Sequence, residues 1–239
     1  MRQLQAEATR IKLILTAERL FALHGMDKVK IQDVNDAAEQ RNKSAIYYHF
    51  GSKEDFVYAI YDYRLAQIDK ACGASLDALL ARTAAPGMLD IVLATFSPPV
   101  DMLLDEDFWY FFRFAAHGTF MADATQVPLS RAAKLPAFAR FLEAVIRAAP
   151  DIPLEVARLR WGQAILAFVA LASEWAREVH VQTPGLGEAA LRDRYLDYAR
   201  GIAAYLSGPY IPAAAQQEKP SSARKARAGR RSATRRQRG

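Results

Sequence analysis

The stretch SAIYYHFGSKEDF, residues 44–56, decides how the rest of the chain reads. Ile46 and Phe50 stand four apart, which puts them on one face of a short helix and predicts that both point inward. Lys43, Ser44, Tyr47, Tyr48 and His49 then fall on the other faces. Asn42 stands where an N-cap belongs. Gly51-Ser52 breaks the helix, and Ser52 reads as the N-cap of the next one, with Glu54 and Asp55 in its first turn. A short helix with two apolar anchors and a polar, donor-rich N-terminal face is the pattern needed to read base edges in a DNA groove.

Working outward, Ile14, Ala17 and Phe21 recur at helical spacing, flanked by Ile11 and Leu15, and Gly25 ends that helix. A second, short helix is predicted over Ile31–Ala38, where Ala37 and Ala38 permit close helix approach. The connection Glu39-Gln40-Arg41-Asn42 leads to the third helix. A longer amphipathic helix followed by two short ones across a tight turn is the helix-turn-helix layout.

In these segments, ILTAERLFALHG (14–25), IQDVNDAA (31–38) and SAIYYHFGSKEDF (44–56), the sequence resembles the TetR family of bacterial regulators. The likeness covers about a fifth of the chain. It departs from the usual pattern in a turn one residue longer, and in Lys30, which stands where a capping Thr is common. The Gln40-Arg41-Asn42 turn looks like that of a subset of relatives. The resemblance implies that Gln32, Lys43 and Ser44 face base edges, and that Tyr47, Tyr48, His49 and Lys53 face phosphates, sugars and thymine methyls; Lys30 and Asn42 complete the candidate DNA-facing set. It further implies a homodimer on a palindromic double-stranded operator, recognition helices about 34–36 Å apart, and a small apolar ligand that changes that spacing.

Beyond Cys72 the chain reads as helical stretches divided by prolines: Met88–Phe96, Asp107–Met121, Ala137–Ala148, Leu154–His180 and Glu188–Ser207. The expected fold is therefore all-α. Residues 1–52 form a DNA-binding domain, 53–210 a helical ligand-sensing and dimerisation domain, and 211–239 a basic tail without the apolar content to build a core. Aromatic residues run nearly all round the helix after Asp107, which predicts either a buried core helix or a pocket wall. Phe96, Trp109, Phe112, His117, Phe138, Trp161 and Phe168 are the candidate lining residues of an apolar cavity of a few hundred Å³, a common size for such sites. Leu191, Tyr195, Tyr198, Ile202 and Tyr205 form a stripe that is either core or subunit seam.

Charge separates the tail from the body. Ala213–Gly239 carries nine basic residues against one acid, a net +8 in a chain of net +6, so residues 1–212 are slightly acidic. The single cysteine, Cys72, excludes an intrachain disulfide and a cysteine metal cluster, and reads as a bystander to redox chemistry. His24, His117 and His180 are scattered without ligand spacing, so no metal or cofactor is expected; His117 is read as a core histidine or a ligand contact. No apolar run approaches the roughly 20 residues of a membrane span, and no signal peptide is expected, which together predict a cytoplasmic, membrane-free protein. No Gly-rich phosphate loop, nucleophile elbow or acid–base pair stands out, so a helical enzyme is the weaker alternative, as is a DNA-coating protein that acts through the tail.

Overall fold

The structure is a computed structural model that describes residues 2–42, 44–120, 131–180 and 187–212, and all regular elements among these are helices. Helix α1 (Arg2–His24) buries Leu13, Ile14, Ala17 and Phe21 and ends at Gly25, whose φ of +88° is a left-handed cap that suits glycine. Helix α2 (Ile31–Ala37) starts without help from the Lys30 side chain. Instead the Asp33 carboxylate reaches back to accept from the Lys30 backbone N–H at 2.7 Å, the reciprocal half of a capping box.

The turn after α2 differs from expectation. Helix α3 spans Ala45–Phe50, with Ser44, not Asn42, at the N-cap position. The Asn42 side chain instead accepts from the Ser44 N–H at 2.9 Å, an Asx turn that leads into the helix. The longer connection explains the shift: the chain passes through Glu39 in the left-handed region, φ +57°, before it can turn into α3. Lys12 holds the Glu39 carboxylate at 2.9 Å and lowers its pKa. Phe50 is half-buried, not enclosed. It closes the last turn of a six-residue helix, with its ring 4.6 Å from Phe56 and the Arg10 guanidinium 5.2 Å above it.

Helix α4 (Lys53–Arg82) begins as expected, with Ser52 Oγ accepting from the Asp55 N–H at 3.0 Å. Helix α5 (Met88–Met102) runs straight through Pro98-Pro99, where the sequence reading ended it at Phe96. A proline at 99 cannot donate to the Thr95 carbonyl. That carbonyl is not orphaned, because the Cys72 thiol on α4 donates to it at 3.3 Å. Helices α6 (Glu106–Phe120), α7 (Pro136–Ala148), α8 (Leu154–His180) and α9 (Glu188–Ser207) complete the bundle. Helix α6 lies between α1 and α8, α4 packs on α5, and α9 packs on α5 and α8.

The α9 stripe resolves largely as core. Leu191 and Tyr195 are buried, and Tyr198 and Ile202 are half-buried. Tyr195 donates to the Leu93 carbonyl at 3.0 Å and takes a 2.9 Å bond from Ser97, while Tyr198 donates to the Ala164 carbonyl at 2.7 Å. Tyr205 is the member that stays exposed. Met1–Gly208 is one compact unit; Pro209–Gly239 is a second, described only over 209–212. No described helix is long and apolar enough to cross a membrane.

Candidate nucleic-acid interface and apolar cavity

Helix α3 is anchored by Ala45 and Ile46, which are buried at 4% and 0% exposure. The same helix holds two large aromatic side chains out in solvent, Tyr47 at 53% and Tyr48 at 80%. Burying a tyrosine ring is favourable, so a short helix that leaves two of them in water is shaped by something other than the monomer's stability. Tyr48 meets His49 edge-on at 5.1 Å between ring centroids, which limits how far either ring swings. Ser44, Asn42 and Lys53 are exposed beside them, and Lys53 stands in the first turn of α4. Lys30 is also exposed, at the start of α2. Gln32 is half-buried, and its amide donates to Asp36 at 2.6 Å, which fixes its orientation. Lys43 lies outside the described residues.

Behind this surface, α1 is bolted to α4 by a buried ion pair. Arg64 donates from Nε and Nη2 to the two carboxylate oxygens of Glu18, each at 2.8 Å. The two side chains are 5% and 2% exposed. Arg64 Nη2 also donates to the Asp107 carbonyl at the start of α6, and its guanidinium lies 4.6 Å from the Phe108 ring centroid. One cation thus joins α1, α4 and α6. Burial raises the Glu18 carboxyl above the usual carboxylate range, against the hydrogen bonds and charge of Arg64, which pull it down. No signal along the sequence pairs Glu18 with Arg64, 46 residues apart.

A cavity of about 120 Å³ lies within the larger bundle. Of the candidate lining residues, Phe96, Phe112, Phe138, Trp161 and Phe168 surround it; Trp109 and His117 do not. The reason is the phase of α6. Phe111, Phe112 and Ala115 face the cavity, whereas Trp109 falls on another face and donates to the Leu103 carbonyl at 2.8 Å. His117 is exposed, so it is neither a core histidine nor a ligand contact here. The sequence reading also missed an entire wall: Tyr61, Leu65, Ile68, Asp69 and Cys72 from α4. Their spacing of three and four is visible in the sequence, but the expected lining residues all lie at Phe96 or beyond it.

The polar groups of the wall are mostly engaged. Asp69 accepts from the Ala137 and Phe138 amides at 3.0 and 3.2 Å, capping α7. Thr95 donates to the Ile91 carbonyl at 2.7 Å. Burial pushes the Cys72 thiol up to about 12. The Tyr61 hydroxyl is pressed against Gly118, where a Cβ would stand 1.9 Å from it.

These features define the class: an all-α protein with an N-terminal helix-turn-helix unit joined through one long helix to a larger bundle that holds an apolar cavity. Residues 13–60 match the family model described as "Bacterial regulatory proteins, tetR family". Among solved structures, a TetR family transcription regulator from Marinobacter aquaeolei VT8 is similar in fold, with a TM-score of 0.56 and 17% identity over 84% of this chain and 98% of that one. RolR (NCGL1110), solved in complex with resorcinol, superposes with a TM-score of 0.46 and 19% identity over 88% of this chain and 98% of that one. No curated protein matches the sequence.

Proposed function

We propose that the chain is a DNA-binding transcriptional regulator, a repressor that acts as a homodimer and whose grip on DNA is altered by a small apolar ligand. The observation that carries the DNA-binding part is α3: two buried anchors, two solvent-held tyrosines, and the family match across the whole segment. Ser44, at the N-cap of α3, and Lys43, next to it in the sequence, read base edges together with Gln32; Tyr47, Tyr48, His49 and Lys53 hold the backbone. Lys30 and Asn42 flank that surface. The Gln40-Arg41-Asn42 turn, as in a subset of relatives, sets the angle at which α3 leaves α2. Residues 1–52 act as the DNA-binding domain and 53–210 as the sensing and dimerisation domain.

Helices α8 and α9 supply the subunit contact. Leu159 and Leu171 on α8 and Leu196 and Tyr205 on α9 are between 37% and 61% exposed, an apolar surface the monomer leaves in water. Two such helix pairs would pack as a four-helix bundle. The cavity is the effector site. A ligand there touches α4 through Tyr61 and Leu65 and α6 through Phe111 and Phe112. Arg64 lies on the same stretch of α4 and holds both α6 and α1, so a shift of either wall bears directly on the helix that carries the DNA-binding unit. Ligand and DNA then oppose each other to the extent that they favour different spacings of the two α3 helices. No enzymatic step is part of this reading.

The test is selection of a binding site from random duplex DNA, followed by sedimentation of the free and bound protein. The reading expects a two-fold symmetric site with half-sites about 10 base pairs apart, or a multiple of that, and a dimer in both states. Recovery of no preferred sequence, or a monomer at micromolar concentration, would overturn it.

A further inference from the structure

The surface of the cavity is carbon almost throughout, much of it from the rings of Phe96, Phe111, Phe112, Phe138, Phe141 and Phe168. The polar groups of the other lining residues are engaged or turned away. Asp69 accepts from two α7 amides, Thr95 donates to the Ile91 carbonyl, and the Cys72 thiol donates to the Thr95 carbonyl. The Tyr61 hydroxyl and the Trp161 indole N–H have no partner among the described residues, but both atoms are covered by protein and present no surface to the void. No Lys, Arg or His contributes to the lining. The void measures about 120 Å³, whereas one water needs roughly 10–15 Å³. Close-packed interiors keep few gaps of that size. Water is a poor tenant, because a buried water normally holds about two to four polar partners and this wall offers next to none.

We propose that the cavity takes a neutral aromatic hydrocarbon of single-ring size, such as toluene, and rejects the same ring once it carries a hydrogen-bonding group. This deepens the reading of the cavity as the effector site and rests on it. Size follows from the volume: an apolar cavity of about 150 Å³ in another protein accommodates benzene, and this one is about 120 Å³. The bar on polar groups follows from the wall. A ligand hydroxyl gives up its water on entry and finds neither donor nor acceptor, which weakens binding about ten- to a hundredfold. A carboxylate or ammonium group loses more, with no countercharge inside except the Asp69 carboxylate, whose oxygens the α7 amides already hold. Aromatic character follows from the way the lining rings meet. Phe96 stacks on Phe168 at 4.7 Å between centroids, and Phe112 meets Phe168 edge-on at 6.3 Å. A guest ring therefore finds both faces and edges, the arrangements aromatic pairs favour.

The experiment is calorimetric titration of the full-length protein with toluene, phenol and naphthalene. In parallel, NMR measures nuclear Overhauser contacts from the bound probe to the methyl groups of Leu65, Ile68, Ile165 and Val169, which all belong to the lining. That readout places the probe without any variant having to fold. Toluene is expected to saturate and to touch those methyls. Phenol, of nearly the same shape, should bind about ten- to a hundredfold more weakly, and naphthalene should not saturate. Phenol within about tenfold of toluene would overturn the ligand class while leaving the effector site standing, and so would naphthalene binding tighter than toluene. Toluene seated among those methyls without any change in affinity for the selected operator would overturn the effector reading and not the binding preference. Toluene that touches none of those methyls would overturn both.

Discussion

Replacing Glu18 by Leu should be among the most damaging single changes away from the DNA surface, and the structure says by how much. Glu18 and Arg64 lie at 2% and 5% side-chain exposure with a two-pronged contact at 2.8 Å. Removing the carboxylate leaves a guanidinium that cannot lose its proton, faced among the described residues by the Asp107 carbonyl, a 3.4 Å bond to Gln67 and the rings of Phe108 and Tyr63, none of which carries a countercharge. Breaking one side of a buried pair costs about 3–5 kcal/mol. For a folded body of this size, roughly 2–4 °C of Tm are lost per kcal/mol, so the melting point should fall by about 6–20 °C. The double variant Glu18→Leu/Arg64→Met removes both charges at similar volume and should recover most of the loss, since apolar replacement of a buried pair is often neutral or better. The assay is thermal and urea unfolding of the wild type, both single variants and the double variant, read as a double-mutant cycle. A loss below about 1 kcal/mol for Glu18→Leu, or a double variant as damaged as the sum of the singles, would refute the claim that this pair ties α1 to α4.

Gly118→Ala should destabilise by about 1–3 kcal/mol despite its better helix propensity, because the new methyl lands 1.9 Å from the Tyr61 hydroxyl; in a Tyr61→Phe background, where the next atom stands at 3.2 Å, the penalty should largely vanish in the same unfolding assay. Tyr61→Phe alone should be neutral or stabilising, since the hydroxyl it removes is buried and has no partner among the described residues. Cys72, held protonated by burial up to about 12, should react with a thiol reagent at pH 8 only at the rate of unfolding, and at once in denaturant; rapid labelling of the native protein would contradict its placement against α5. Deleting residues 213–239 removes nine cations and should flatten the salt dependence of DNA binding while leaving the melting point of the body unchanged; an unchanged salt slope would show that the tail does not touch DNA.

The helix-turn-helix was legible in the sequence because its signals are local. Ile46 and the Ser52 cap each act within one turn of their own position, and the Gly25 stop needs only its own φ. The start of α3 was misplaced by two residues because the turn is governed by Glu39 in a left-handed conformation held by Lys12, a contact 27 residues long. Proline in α5 misled for the same reason: the carbonyl that Pro99 frees is satisfied from another helix, by Cys72. The cavity was half legible. Aromatic content marked Phe96, Phe112, Phe138, Trp161 and Phe168, but separating them from Trp109 and His117 requires the phase of α6 against α4 and α8, which no periodicity within α6 contains. The Glu18–Arg64–Asp107 junction left no trace in the sequence at all, since two helices and a third helix's first turn must first be assembled.

The most direct test of the chain as a sequence-reading DNA binder is quantitative binding of wild type, Lys43→Ala and Lys53→Ala to a selected operator and to scrambled DNA, at two salt concentrations. Lys43→Ala should lose about 1–3 kcal/mol on the operator alone and relax preference at one base pair per half-site. Lys53→Ala, exposed in the first turn of α4, should weaken both DNAs about equally and lower the salt slope by roughly one unit per contact. If Lys43→Ala binds operator and scrambled DNA as the wild type does, helix α3 is not the reader.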